Sequence, residues 1–275
     1  MQDKRNALGR GHRVEHDQEG HADRLIQGDP VGRVSRGAAR LPAGPLGQVR
    51  QRLGDPFAHV PLAAGPCRAE QVANPFAGGP EAPVEIHLAF DGDDPQHAAR
   101  AIDPIRRLGT VTGDDIALEP YADTLTEGMT PPPGIQFVPR SAFVGKESVP
   151  EVLQILAEVR ASERSPVITV RSVGGAVSRV PDDATAYAHR HAELMVVTMT
   201  AGPKPAVEAA RPDLDAIWER LAPHVNGAYA NFLASATEED VAAIYPTQTH
   251  RRLAAVKRQY DPGNLFARNH NIRPQ

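Results

Sequence analysis

The side chains able to do chemistry fall mainly in the second half of the chain. In Ala228-Tyr-Ala-Asn-Phe-Leu233, Tyr229 and Asn231 stand two residues apart, the spacing that puts a phenol and an amide on one face of an extended strand. As a bare pattern this is ordinary strand chemistry. His189 and His191 repeat the spacing. Two imidazoles on one face could serve a metal, but no third ligand accompanies them, and a surface or hydrogen-bonded role is the plainer reading. Gly174-Gly175 reads as a turn or bulge between strands, or as a platform where a ligand approaches the backbone. Near the end, Asn264, Asn269 and Asn271 offer donors and acceptors to a turn or to a polar ligand.

Several classes of chemistry have no local support. No Gly-x-Ser-x-Gly, Walker loop, His-Glu-x-x-His or paired-Cys motif occurs, which removes the sequence case for a hydrolase, kinase or metalloprotease. The single Cys67 excludes an intrachain disulfide framework, and a reducing, cytoplasmic setting fits it. The formal charge of -4 speaks against nucleic acid as a partner. Arg251, Arg252, Lys257 and Arg258 read as a solvated helix face, because only Tyr260 among them could stack on a base. No apolar run reaches the roughly 20 residues of a spanning helix, so no membrane partner is expected.

The elements that must position these residues begin after an unusual opening. Residues 1–80 hold twelve of the 23 glycines and no Thr, Tyr or Trp, and they carry a charge of +3 against -7 for the rest. Residues that fill strands and cores are scarce there, so this Gly/Arg-rich segment is expected to be disordered or aberrant, with no periodicity sustained enough for a sheet. Regular structure is expected from residue 83, where Val84, Ile86, Leu88 and Phe90 alternate as in a half-buried strand. A helix over 96–108 follows, with Ala98, Ile102 and Ile105 on one face, then a strand near 110–118 and a short helix over 121–127.

Farther on, residues 134–144 read as extended, and Ser148-Val-Pro-Glu151 matches a capping box opening a helix that carries Val152, Ile155, Leu156 and Val159. Strands are expected at 167–170, 176–180 and 194–200, and Pro212 is placed at the start of a helix bearing Leu214, Ile217, Trp218 and Leu221. Strands joined by turns imply an antiparallel sheet. The fold class is therefore α+β, an antiparallel sheet with helices on one face, preceded by a poorly structured N-terminal segment. A capped helix over 237–244 and a basic helix over 249–259 lead to a tail whose Leu265 and Phe266 are expected to dock.

Three stretches carry a family resemblance. They are Gly174-Gly-Ala-Val-Ser-Arg-Val-Pro181 with Ala184-Thr-Ala-Tyr-Ala-His-Arg190, then Tyr229-Ala-Asn-Phe232, then Lys257-Arg-Gln-Tyr-Asp-Pro-Gly-Asn-Leu-Phe266 with Asn269-His-Asn-Ile272. Through them the chain from about 84 to 274 resembles the C-terminal half of the berberine-bridge-enzyme-like FAD-linked oxidases. The resemblance implies a substrate-binding domain over 81–225, whose sheet face covers the isoalloxazine ring, and a berberine-like C-terminal segment over 226–275. It implies hydride transfer from a small organic substrate to FAD, with reoxidation by oxygen. Carried over, Tyr229 becomes the catalytic residue, a partner in substrate deprotonation. Gly174, Gly175, His189, Asn231, Asn269 and Asn271 become the cofactor-binding residues, with Arg190 orienting the strand edge next to His189, and Asn269 and Asn271 securing the tail against the flavin domain.

In that family a large N-terminal domain supplies a pyrophosphate loop and an Arg-Gly-Gly-His segment whose His bonds covalently to the flavin, sometimes joined by a Cys. Only Gly9-Arg-Gly-His12 and Cys67 are of those kinds here, outside any strand-turn context that cradles a phosphate. The expectation is a fragment of an FAD oxidase with a foreign or misread opening in place of the flavin domain. FAD is its cofactor by resemblance, and its partners are a small-molecule substrate and a separate flavin domain or a second copy. The alternative is a non-catalytic α+β module for partner binding or dimerisation.

Overall fold

A computed structural model of the chain describes residues 33–41, 67–73, 84–91, 94–107, 110–120 and 132–275. Eight strands appear among them: β1 (Arg33–Leu41), β2 (Cys67–Ala73), β3 (Val84–Asp91), β4 (Gly113–Asp114), β5 (Ala117–Pro120), β6 (Ile135–Val144), β7 (Val167–Ser172) and β8 (Leu194–Pro203). The helices are α1 (Pro95–Arg106), α2 (Val149–Arg160), α3 (Lys204–Leu221), α4 (Glu238–Ile244) and α5 (Thr247–Tyr260). The strands form one sheet in the order β4-β1-β3-β2-β7-β8-β6, with β5 also on β1, and every pairing is antiparallel.

Alternation in β3 sends Val84, Ile86, Leu88 and Phe90 against Ala98, Ile102 and Ile105 of α1, the residues whose helical spacing marks them as one face. At the other end of the sheet, Ala142 and Val144 of β6, Ile168 of β7, and Leu194 and Val196 of β8 pack under α2 and α3. The register joins the two cores: Ile86 pairs with Gln71, Gln71 with Val170, and Val170 with Val196. Cross-strand partners share a face, so α1, α2 and α3 lie on one side of the sheet, and the β7–β8 connection with the residues after α3 covers the other.

Four expectations are corrected. The expectation that residues 1–80 sustain no sheet fails for β1 and β2, which fill interior positions of the sheet. Their ladders to β3 are made by backbone N–H and C=O groups, which need no β-branched residue. Ser148 makes no cap hydrogen bond. It sits at φ -94, ψ -3, already helical, behind a 3₁₀ turn over Lys146–Ser148, whereas a capping side chain needs extended backbone. Residues 176–180 are not a strand. Gly175 at φ 72 turns the chain, and Arg179 and Val180 donate to Ala176 and Val177 three residues back.

Pro212 lies inside α3 rather than at its start. Pro205 occupies the first turn instead, and both Pro212 and Glu208, whose carbonyl loses its helical donor, face solvent, where water replaces the bond. The short helix expected over 121–127 falls outside the described residues.

Inside the second core, Trp218 donates its indole N–H to Thr198 Oγ1 at 3.0 Å, and the Thr198 side chain is fully buried. Each partner alone is a liability, because a buried donor or acceptor without its mate costs about 1–3 kcal/mol. Thr198→Val should therefore lower the unfolding free energy by about that amount. Trp218→Phe with Thr198→Val should cost clearly less than the sum of the single changes, read from urea melts of the three variants.

Candidate functional site

Opposite the helices, Phe143, Met195 and Val197 cover the far face of β6 and β8, with Tyr187, Tyr229 and Phe232 half-buried against them. The chain reaches this face from the outer edge of β6. Phe143 and Asn226 exchange two backbone hydrogen bonds of 2.8 Å, and Ala234 N–H donates to Pro139 O at 3.2 Å. Pro139 lacks an N–H and stands where an edge strand tolerates its absence. Residues 226–234 thus run along the open edge of the sheet and carry Tyr229, Asn231 and Phe232 onto its face.

Within that run, Ala230–Phe232 is a 3₁₀ turn, so Tyr229 and Asn231 do not share a strand face as their spacing suggests. The turn nevertheless brings them together: Asn231 Nδ2 donates to Tyr229 Oη at 3.1 Å. The Tyr229 ring leans on Phe232 at 5.7 Å and meets Tyr187 edge-on at 6.5 Å. Arg171 of β7 lies over Phe232 at 4.7 Å, setting a cation at one end of the row of rings.

Gly174, Gly175, His189 and Arg190 belong to the connection between β7 and β8. Gly175 needs its positive φ, and Ser178 Oγ donates to Gly175 O at 2.8 Å, closing the turn. A side chain at Gly174 would meet only an ordinary contact with Glu193. Arg190 is buried and ties the connection together by donating to Thr185 Oγ1 at 2.7 Å and Val177 O at 3.4 Å while lying over Tyr187.

His189 is divided from His191 by environment. His191 is exposed beside Asp182 at 3.2 Å, whereas His189 stacks on Phe143 at 4.7 Å and reaches the carbonyls of Ala243 and Ile244 at 3.0 and 3.2 Å. Both carbonyls accept, so Nε2 carries the proton, and the ring caps the C-terminal end of α4. A Cβ at Gly227, where φ is 56, would lie 2.1 Å from the imidazole, so that position needs glycine twice over. Among the described residues, no group of three or more His, Cys, Asp or Glu gathers to hold a metal ion. No helix among them is long and apolar enough to cross a membrane.

In the tail, Asn269 adopts φ 57 and accepts from Asn271 N–H at 2.9 Å, while Asn271 Oδ1 is buried without a partner. His270 Nε2 donates to Ser235 O at 2.9 Å, tying the tail to the end of the 226–234 run. Asp261 accepts from Leu265 and Phe266 N–H at 2.7 and 3.1 Å and pairs with Lys257 at 2.5 Å, which holds its carboxyl below the usual range. The tail is therefore shaped, and Leu265 and Phe266 are about four-fifths exposed on it.

Sequence reasoning missed Phe143 and Tyr187, which build the floor, and Ser141, which touches Tyr229. One hint existed for Ser141: it is the lone hydroxyl in the apolar end of β6, Ser141-Ala-Phe-Val144.

Burial pushes the His189 pKa below the ordinary 6.5, outweighing its carbonyl partners. The folded chain then binds fewer protons at this ring than the unfolded chain, so its contribution is fully present above pH 6.5 and is lost as pH falls from there toward the lowered value. Chemical denaturation across pH 7 to about 5, above the carboxylate range, should show stability falling on acidification. His189→Gln, which keeps a donor and cannot titrate, should flatten that slope.

With this geometry in view, comparison with known proteins gives a consistent result. Residues 228–273 match the family described as berberine and berberine like. The chain is 26% identical over 200 residues to an FAD-linked oxidoreductase of Dictyostelium discoideum, covering 70% of this chain and 42% of that one. It is 54% identical over 39 residues to (R)-6-hydroxynicotine oxidase of Paenarthrobacter nicotinovorans, covering 14% of this chain and 8% of that one. In fold it resembles 6-hydroxy-D-nicotine oxidase from Arthrobacter nicotinovorans (TM-score 0.65, 23% identity) and berberine bridge enzyme from Eschscholzia californica (TM-score 0.67, 16% identity). Each likeness covers 88% of this chain and 55% of the other. The chain spans about two-fifths to a little over half the length of these longer matches. Residues 228–273 thus match the berberine-like segment, and the chain as a whole is similar in sequence and in fold to FAD-linked oxidoreductases.

Proposed function

We propose that this chain supplies the substrate-side wall of an FAD-linked oxidoreductase, with Tyr229 as the group that assists deprotonation of the substrate. The observation that carries the reading is the ordered phenol on an aromatic face: Tyr229 is held at its hydroxyl by Asn231 and at its ring by Phe232 and Tyr187.

The residues present fit one half of the cofactor. Tyr187, Tyr229 and Phe232 offer half-buried aromatic surface to one side of a planar ring. A pyrophosphate asks instead for free N–H groups at a helix start. Among the described helices, α1 has its Gln96 and His97 N–H groups taken by Asp94 Oδ1, and α4 fills its start with the Thr237–Asp240 capping box. α5 follows α4 through Tyr245-Pro246 with no glycine turn. These features support a reading in which the ring lies on this face and the phosphates are held elsewhere.

A bound flavin would supply the two-electron acceptor for hydride leaving a substrate carbon. The chain's own contribution is positional. The amide of Asn231 donates to the phenol oxygen, which leaves the phenol proton free to point away from Asn231, and the same donor stabilises negative charge when that proton is passed on. Phe143 and Met195 beneath the rings keep water from that side.

Fluorescence titration of the full chain with FAD and with riboflavin, which lacks the pyrophosphate, tests the reading. The two should bind within about tenfold of one another, ~1.4 kcal/mol. Tyr187→Ala with Tyr229→Ala should abolish both signals, whereas Tyr229→Phe should preserve binding. A far stronger preference for FAD, or no binding of either, would overturn the assignment.

One observation favours a second reading, association through the tail. Tyr260, Leu265 and Phe266 are each about three-quarters or more exposed, on a turn braced by Lys257 and Asp261. If association is their purpose, Leu265→Ser with Phe266→Ser should lower the mass measured by light scattering at high concentration and leave the melting temperature of the monomer unchanged.

A further inference from the structure

Ser141 stands in the middle of β6, 3% exposed, between its two backbone attachments to the 226–234 run. Phe143 pairs with Asn226 on one side of it, and Pro139 accepts from Ala234 on the other. Had the pairing continued in register, the next backbone pair would join Ser141 to Ala228. Ala228 N–H turns away instead and donates to Ala243 O at 3.1 Å, beside the helix end that His189 caps. The run leaves the ladder here by one residue.

The Ser141 side chain closes the gap. Its Oγ accepts from Tyr229 N–H at 3.1 Å and donates to Tyr229 O at 3.3 Å. Satisfying both main-chain groups of one residue from one side-chain atom requires a group that donates and accepts at once, which on a side chain this short only a hydroxyl does well. Alanine would take away the Ser141 partner of the Tyr229 N–H and leave the Tyr229 carbonyl to the Phe232 N–H at 2.9 Å. Threonine keeps the hydroxyl, and cysteine keeps the shape with a weak donor and acceptor in its place.

We propose that Ser141 is the positioning residue for Tyr229: its hydroxyl holds the Tyr229 main chain out of the strand register and so fixes where the phenol stands on the aromatic face. This assignment rests on Tyr229 as the acting group in the proposed function, but its test needs neither flavin nor turnover. An inactive chain would defeat the functional reading and leave the positioning result standing on its own measurement.

The test is fluorine NMR of the full chain labelled with 3-fluorotyrosine, in which five tyrosines give five signals and Tyr229→Phe assigns the one in question. Ser141→Cys should shift and broaden the Tyr229 signal selectively, while Ser141→Thr should restore a narrow line near the wild-type position. A Tyr229 line in Ser141→Cys identical to wild type would overturn the proposal. So would a disturbance in Ser141→Thr as large as in Ser141→Cys, because the hydroxyl would then not be the agent. Ser141→Ala serves as the stronger form of the cysteine change, and the two hydroxyl-sensitive variants decide the matter if it fails to fold.

Discussion

The arrangement of the candidate site depends on how the outer edge of β6 is covered. An open edge exposes backbone N–H and C=O groups and invites pairing with another chain. Here the edge is taken by residues 226–234, first through a backbone pair at Phe143, then through a side chain at Ser141, then through a lone carbonyl at Pro139. The switch from backbone to side chain converts a potential ninth strand into a run that crosses onto the sheet face. The aromatic row, the Asn231 contact and the anchoring of the tail through Ser235 all follow from that departure.

This constraint also explains which parts of the molecule were legible in the sequence. β3 and α1 could be read nearly to the residue, because Val84, Ile86, Leu88 and Phe90 alternate and Ala98, Ile102 and Ile105 fall on a helical stripe. In such elements local periodicity and tertiary burial agree. β1 and β2 were illegible because nothing in Arg33–Leu41 or Cys67–Ala73 alternates cleanly, and their place in the sheet comes from backbone ladders with β3. The same separation of backbone from side-chain logic misplaced residues 176–180, where one left-handed glycine turns the chain out of the expected strand.

At the site, Tyr229 and Asn231 could be paired from their spacing, but the geometry that joins them is a turn rather than a strand. His189 could be singled out, yet what the fold asks of it could not, since its carbonyl partners lie more than fifty residues away. Long-range hydrogen bonds of this kind leave no local trace. Gly227 shows the same limit: the tightest demand on it is the distant His189 imidazole packed against its α-carbon.

The two faces of the sheet are ordered by different means, and the difference bears on function. On the helix side, Val144, Val152, Val196 and Leu221 are almost wholly removed from water, and burial alone accounts for their order. On the other side, Tyr187, Tyr229 and Phe232 are only half-buried, and apolar burial is too incomplete to fix them. What fixes them is a set of polar clamps, Ser141 on the Tyr229 backbone, Asn231 on its hydroxyl, Arg190 across the Tyr187 loop and His189 beneath it. Order without full burial leaves aromatic surface and a phenol available to something outside the chain. A surface of that kind is suited to receiving a flat ligand, because its rings are already in place and little ordering entropy is lost when the ligand arrives.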